Sequence, residues 1–335
     1  MRRLSPGHCP ICRNRSRTAR TAERARTAPF RRMLVCRVGA GRAVSPNMPL
    51  PLSDSDAVTI TGMSDPQSRP PLELTSTSNP RIKALIGLRR RRAREQAGVS
   101  LVEGYEELVL ALDAGVVPQS LYYCPALMST SDQLDTVDRV SALGTTVFRL
   151  SRPVFEKAAY RESPDGWLAV VPAVPTGLAE LRIAANPLLL VGEAVEKPGN
   201  LGAMLRTADA VGVDAVIASQ PVTDWGNPNV VRASKGTIFT VPVASAPTAE
   251  VLPWLRDRAV SVVAATPDTD TEYTDVDFTG PTAVVVGTEK HGLTDEWLDR
   301  ADARVRIPML GRVNSLNVAT SAAIILYEAL RQRRP

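Results

Sequence analysis

Three polar segments of this chain break into otherwise apolar surroundings, and each carries residues able to hold a ligand. The first, Glu193-Ala-Val-Glu-Lys-Pro-Gly-Asn200-Leu-Gly-Ala-Met-Leu-Arg206, follows the apolar run Pro187-Leu-Leu-Leu-Val191. Gly199 and Gly202 permit a close backbone approach at a helix N-terminus, and Asn200 stands where a cap or a ligand contact would. Arg206 lies less than two helical turns further on, among Met204, Leu205 and Ala208, where a plain surface arginine is out of place. The second, Val286-Gly287-Thr-Glu289-Lys-His-Gly292-Leu293, sets two glycines around a carboxylate at a strand end, a backbone able to wrap a ligand. The third runs from Ile307-Pro-Met through Arg312, Ser315 and Asn317 into a long Ala/Ile/Leu helix. Asn and Ser at the mouth of an uncharged helix are costly unless their hydrogen bonds are used, and free helix amides make an anion or ligand site. As helix cap and loop fastener, Ser315 and Asn317 also have a structural role compatible with this one.

Several chemistries are absent from the pattern. No Gly-x-Gly-x-x-Gly follows a strand and no Walker loop is present, so nucleotide-binding oxidoreductase and P-loop readings lack their fingerprints. Ser315 sits in no Gly-x-Ser-x-Gly elbow. His8-Cys9-Pro-Ile-Cys12 is half a zinc site without a second pair at usable spacing, so no metal is expected. The spacing points to a binding site without selecting a reaction.

The elements that must position these segments read as α/β. Strands are expected at 100–103, 120–124, 146–150 and 167–171, with helices at 105–114 and 134–142, forming a small domain over residues 74–172. Residues 173–186 read as a Pro-containing linker. Residues 187–335 then alternate: strands at 187–191, 215–218, 240–243, 260–264, 283–286 and 304–307, and helices at 198–211, 228–234, 248–258, 295–299 and from 318 onward. That order implies a largely parallel sheet with helices on both faces, and all three polar segments follow strand ends, where such sheets bind ligands.

Charge is unevenly spread. Residues 1–62 hold twelve arginines against Glu23, Asp54 and Asp56, so the +5 of the whole chain conceals a body of net charge −4 over the other 273 residues. Residues 1–73 read as a disordered basic leader unable to repay its ordering entropy, with Met48 and Met63 as alternative starts. Three of the four cysteines fall within it, which argues against a disulfide framework and fits a reducing cytoplasm. No run is apolar enough to span a bilayer. Within the acidic body, one helix at 81–96 concentrates Arg81, Lys83, Arg89, Arg90, Arg91, Arg92 and Arg94 ahead of its first acid, Glu95. A phosphate-binding face accounts for that density; the alternative is a solvated helix surface.

Taken in order, Lys197-Pro-Gly-Asn-Leu-Gly-Ala-Met-Leu-Arg-Thr-Ala, Val286-Gly-Thr-Glu-Lys-His-Gly-Leu and Ile307-Pro-Met…Ser315-Leu-Asn-Val-Ala resemble the three motifs of the SpoU/TrmH-type RNA 2′-O-ribose methyltransferases of the SPOUT superfamily. Residues 74–172 more loosely resemble the ribosomal-protein-like RNA-binding domain that precedes the catalytic domain in rRNA-modifying members. The resemblance implies a C-terminal trefoil knot, a homodimer, and S-adenosylmethionine held mainly by backbone at Gly287, Ile307 and Leu316, with Thr266 as a further candidate. It casts Arg206 as catalytic, with Asn200 orienting the ribose or the loop, Glu289 organising the site, and Ser315 and Asn317 fixing knot and cofactor. Arginine stays protonated in proteins and is a poor base, so Arg206 is expected to hold the target phosphate and lower the hydroxyl pKa electrostatically. The implied reaction is methylation of a ribose 2′-hydroxyl in RNA, 23S rRNA before tRNA because of the additional domain. A non-catalytic RNA-binding protein on the same fold is the alternative of another class. Aromatics make up 4% of the chain, so phosphate and shape contacts should outweigh base stacking.

Overall fold

The computed structural model describes residues 71–288, 290–312 and 315–334. Residues 1–70 of the basic leader, its Cys9/Cys12 pair and the site candidate Glu289 lie outside the described residues, whereas Leu72 and Glu73, expected in the disordered leader, belong to a strand that pairs with Phe148 and Arg149.

Two sheets organise the molecule. The first is built from β1 (Leu72–Leu74), β2 (Val99–Glu103), β3 (Ser120–Tyr123), β4 (Thr146–Leu150) and β5 (Trp167–Pro172), in the order β1-β4-β3-β5-β2. β1, β4 and β3 run parallel, while β5 is antiparallel to β3 and β2. Its helices are α1 (Pro80–Gly87), α2 (Arg91–Ala97), α3 (Tyr105–Asp113), α4 (Leu134–Ala142) and α5 (Arg152–Ala158).

The second sheet contains β6 (Leu188–Glu193), β7 (Ala215–Ser219), β8 (Val243–Ala246), β9 (Ser261–Ala265), β10 (Thr282–Val286) and β11 (Ala303–Val305). Its order is β11-β9-β10-β6-β7-β8, and every pairing is parallel. The helices α6 (Pro198–Val211), α7 (Pro228–Ala233), α8 (Thr248–Arg256), α9 (Asp295–Leu298) and α10 (Val318–Arg333) accompany it.

Successive strand side chains point to opposite faces, so an all-apolar strand must be covered twice. That is what β6 shows. Leu188 and Leu190 join one core with Leu201 and Leu205 of α6 and Ile325 and Leu326 of α10. Leu189 and Val191 join another with Val251 and Leu255 of α8 and Trp297 of α9. The first core continues into the five-stranded sheet through Val102, Leu121 and Trp167, so the two sheets share packed interior.

Three further sequence expectations are corrected. The single basic helix at 81–96 is two helices: the N–H of Leu88 closes α1, and Arg90 is extended (φ −83, ψ 129) before α2 begins. The break is tolerated because Arg94, 3% exposed, donates to the carbonyls of Leu88 (3.1 Å) and Arg89 (2.9 Å) that it releases. The strand expected at 240–243 is displaced to Val243–Ala246, because Thr240 and Val241 both donate their N–H to the Thr237 carbonyl and close a turn first. Finally, α5 has no counterpart among the expected helices, although Ser151 followed by Pro153 is a helix-start signal. No described helix is long and apolar enough to cross a membrane.

Candidate active site

A cleft of about 450 Å³ opens at the carboxyl ends of β9, β10 and β11, the three strands whose last residues Ala265, Val286 and Val305 line it. All four residues expected to hold a cofactor, Thr266, Gly287, Ile307 and Leu316, lie in its wall, and Ser315 joins them. Val286, Val305, Ile307, Leu316 and Val318 make it apolar. Asp268 is the carboxylate among its described lining residues, and Lys290 and His291 add the basic groups. The size suits a small-molecule site, and apolar walls with a few convergent polar groups are the usual make-up of one.

The loop after β10 forms the outer wall. It folds back on itself: the Gly292 N–H donates to the Thr288 carbonyl at 2.9 Å and the His291 N–H to Thr288 Oγ1 at 3.1 Å. Gly287 is required by this fold-back, since a Cβ there would lie 2.1 Å from the Gly292 carbonyl oxygen. Across the cleft, the Thr266 N–H donates to the Val305 carbonyl (2.9 Å), and its hydroxyl accepts from the Asp268 N–H (3.2 Å).

Beside the cleft, two helix mouths meet. Asn317 is the N-cap of α10, its Oδ1 accepting from the Ala319 N–H at 3.1 Å, which meets the expected capping role. The same side chain donates from Nδ2 to Asn200 Oδ1 at 3.1 Å. Asn200 is not a cap: Lys197 holds that position, and Asn200 sits in the first turn of α6. The polar residues of the first and third segments are thus joined directly. Arg206 projects from α6 into solvent, and no ion pair or hydrogen bond of its side chain occurs among the described residues. Gly202 turns out to serve packing. A Cβ there would meet Ala233 Cβ at 2.4 Å and the Ser234 nitrogen at 2.7 Å, so it lets α6 lie against α7, while Gly199 faces open space.

The six candidate RNA-binding residues divide. Lys83, Arg90 and Arg92 are exposed and make no ion pair among the described residues. Arg91 is paired with Glu95 at 2.7 Å, and Arg81 stacks over Phe148 at 5.2 Å. Arg89 is turned inward, donating to the carbonyls of Lys157 (2.8 Å), Ala158 (3.0 Å) and Ala159 at the C-terminal end of α5, where a cation suits the helix dipole. Arg94 pairs with Asp224 at 2.9 Å, joining α2 to the loop between β7 and α7.

One buried carboxylate was given no role by sequence reasoning. Glu193 closes β6 with its side chain buried, and its carboxylate accepts from the N–H and the hydroxyl of Thr294. An acid ending an otherwise apolar buried strand was the available signal.

Comparison with known proteins places this geometry in a family context. Residues 187–327 match the SpoU rRNA Methylase family, and residues 79–169 match the MRM3-like substrate binding domain. The chain is 32% identical over 259 residues to a 23S rRNA (uridine(2479)-2′-O)-methyltransferase of Streptomyces viridochromogenes, covering 75% of this chain and 88% of that one. A tRNA (guanosine(18)-2′-O)-methyltransferase of Thermus thermophilus is 43% identical over 155 residues, 46% of this chain and 79% of that one. Among solved structures, an AdoMet-bound rRNA methyltransferase from Sinorhizobium meliloti superposes with a TM-score of 0.72 at 30% identity, covering 78% of this chain and 98% of that chain.

Proposed function

The chain belongs to the SpoU rRNA methylase family, and from that premise we propose that it methylates a ribose 2′-hydroxyl of ribosomal RNA. The enzyme class is an S-adenosylmethionine-dependent RNA 2′-O-ribose methyltransferase. Ribosomal rather than transfer RNA is favoured because the rRNA relative aligns over 75% of the chain, whereas the tRNA relative aligns over 46%. On this proposal residues 74–172 present the RNA, residues 187–335 are catalytic, and residues 173–186 link them. The protein works as a cytoplasmic homodimer with its last strand and helix threaded as a knot.

The observation that carries the site assignment is the gathering of Thr266, Gly287, Ile307 and Leu316 around one cleft at the sheet's carboxyl edge. The donor set fits S-adenosylmethionine: apolar side chains for a flat heteroaromatic ring, backbone at positions 287, 307 and 316 for its edges, and the Asp268 carboxylate for a cation. When bound, the cofactor supplies a methyl group on a positively charged sulfur, which is already a good electrophile. The protein's task is then to position the ribose and manage its proton.

Positioning supplies up to about 7–11 kcal/mol in well-oriented reactions, and general-base assistance a further ~10²–10⁴-fold. Arg206 holds the phosphate next to the target ribose and favours the alkoxide electrostatically, its planar fork matching two phosphate oxygens. Asn200, fixed by Asn317, orients the ribose or the loop beside it. Ser315 and Asn317 secure the segment that covers the cofactor, and Glu289 organises the loop that faces it. Lys83, Arg90 and Arg92 grip phosphates of the same RNA.

Methyl transfer from labelled S-adenosylmethionine to purified ribosomal RNA and tRNA, followed by mapping of the 2′-O-methyl position, tests this. Label in 23S rRNA at one ribose is expected. Label in tRNA alone would replace the substrate. Failure to label any RNA would favour the non-catalytic alternative.

A further inference from the structure

The carboxylate of Glu193 ties the strand that leads into the first polar segment to the end of the loop that carries the second. β6 is a central strand of the parallel sheet, paired with β10 and β7. Glu193 is its last residue and is 2% exposed. From there the chain turns through Ala194, held in the left-handed region at φ +50 with its N–H donated to the Ser219 carbonyl, towards α6 with Asn200 and Arg206. In the other direction, the Glu193 carboxylate accepts from the Thr294 N–H at 2.9 Å and from Thr294 Oγ1 at 2.7 Å. Thr294 is the N-cap of α9 and the residue at which the loop beginning at Gly287 ends.

A buried carboxylate needs hydrogen-bond donors, and charge-assisted bonds are about twice as strong as neutral ones. Here both donors come from a single exposed residue at the end of the cofactor loop. That loop has few other fixings. Its start is continuous with β10, its middle is closed by the Thr288–Gly292 bridge, and its far end is held by Glu193, by the buried Leu293 and by Trp297, which is fully buried one turn into α9. Trp297 anchors α9 by packing, a non-directional force. The two bonds to Glu193 fix where the first turn of α9 begins, and so the height of Gly287, Thr288, His291 and Gly292 over the cleft.

Resting on the methyltransferase assignment above, we propose that Glu193 is a positioning residue for the cofactor. Its carboxylate holds Thr294, Thr294 holds the loop, and the loop sets the cleft's width. It touches no reacting atom, so its loss should weaken cofactor binding while leaving RNA binding intact.

The test is calorimetric titration with S-adenosylhomocysteine, with thermal melting and RNA binding measured on the same proteins. Thr294→Val removes the hydroxyl donor from an exposed position, so the protein should fold, and S-adenosylhomocysteine should bind about fivefold to tenfold more weakly. Thr294→Ser keeps both donors and should bind as the wild type does. Glu193→Gln can keep both bonds, its amide oxygen accepting from the Thr294 N–H and its NH₂ donating to Thr294 Oγ1, so it loses only the charge assistance and should bind closer to the wild type than Thr294→Val does. RNA affinity should stay within twofold throughout. Wild-type affinity in Thr294→Val would overturn the proposal while leaving the methyltransferase assignment standing. Equal losses of RNA and S-adenosylhomocysteine binding would also overturn it, by showing a general defect. Absence of S-adenosylhomocysteine binding in the wild-type protein would remove the assignment beneath it.

Discussion

Replacing Gly287 with alanine should weaken cofactor binding severely without unfolding the protein. The added Cβ would lie 2.1 Å from the Gly292 carbonyl oxygen, 2.2 Å from its carbon and 2.6 Å from the Leu293 nitrogen. All three are backbone atoms, so no rotamer change relieves the clash. Because real Cβ contacts essentially never fall below 3.0 Å, the fold-back must retreat by about 0.9 Å at least, and over-packing of this kind costs about 1–3 kcal/mol. Retreat also stretches the 2.9 Å bond from the Gly292 N–H to the Thr288 carbonyl, worth about 1 kcal/mol. Charged to the bound state, these costs total about 2–4 kcal/mol, a loss of affinity of roughly thirtyfold to nearly a thousandfold. S-adenosylhomocysteine titration reads the affinity, and circular dichroism melting reads the fold. Two other glycines serve as controls. Gly202→Ala collides with the backbone of α7 and should lower the melting temperature while the folded fraction still binds. Gly199→Ala meets nothing within 4 Å in the first turn of α6 and should be neutral or stabilising by up to about 1 kcal/mol. If Gly287→Ala binds within twofold of the wild type, the loop after β10 is not the cofactor wall and the site assignment fails.

Arg206→Ala should reduce kcat in single-turnover methylation by about 10²–10³-fold with an unchanged melting temperature, and Arg206→Lys should recover only part of it; a near-wild-type lysine variant would show that the planar fork is unnecessary. Neutralising Lys83, Arg90 and Arg92 together should weaken RNA binding and reduce the slope of log affinity against log salt by about one for each phosphate no longer gripped, whereas Arg89→Gln should chiefly lower thermal stability; a salt slope unchanged by the triple substitution would rule out the basic face. Burial pushes the Glu103 carboxyl above its ordinary pKa, against the lowering effect of the Arg161 and Tyr160 backbone N–H bonds it accepts. The native state therefore holds this proton to higher pH than the unfolded chain does, so its contribution to stability falls as pH rises from the ordinary glutamate range through the raised native value. Denaturant titrations of Glu103→Gln across that window should show a flatter pH profile than the wild type, and parallel profiles would contradict the shift.

The parallel sheet was legible because its strands are apolar on both faces, and only a twice-covered strand needs that pattern. The bounds of α4, β4 and α6 are the same in sequence and structure, because each lies between turn or proline signals. Thr266, Gly287, Ile307 and Leu316 were placed by resemblance to motifs, and the structure shows why spacing alone could not gather them: the cleft assembles three strand ends separated by long stretches of chain. The basic run misled for a physical reason. Charge density along a sequence does not say which guanidiniums point inward, and that depends on carbonyls distant in sequence, those of residues 157–159 for Arg89, and on the carboxylate of Asp224 for Arg94. Glu193 stayed hidden because its partner, Thr294, is 101 residues away.

Two charge pairs lie where the two sheet systems meet, and their energetics point to what they do there. Arg94 joins α2 to Asp224 with side chains 4% and 17% exposed, and Lys235, beyond α7, reaches Glu106 of α3 at 2.9 Å. Buried ion pairs add little net stability over apolar packing, since desolvation consumes most of the attraction, and exposed pairs such as Lys235–Glu106 are worth about 0–1 kcal/mol. Stability alone therefore does not account for them; a directional bond also fixes an angle, which apolar contact does not. Methyl transfer is sensitive to such angles, because a misplacement of about 1 Å in the reacting geometry can cost ~10²-fold in rate. On the proposed function, an RNA gripped at Lys83, Arg90 and Arg92 and methylated beside Arg206 would bridge both sheets, and this joint would set the distance between grip and chemistry. The arginines that the sequence offers as RNA ligands thus divide into those exposed to solvent, Arg90 and Arg92, and those, Arg94 foremost, whose bonds on the proposed function would fix the span between grip and chemistry.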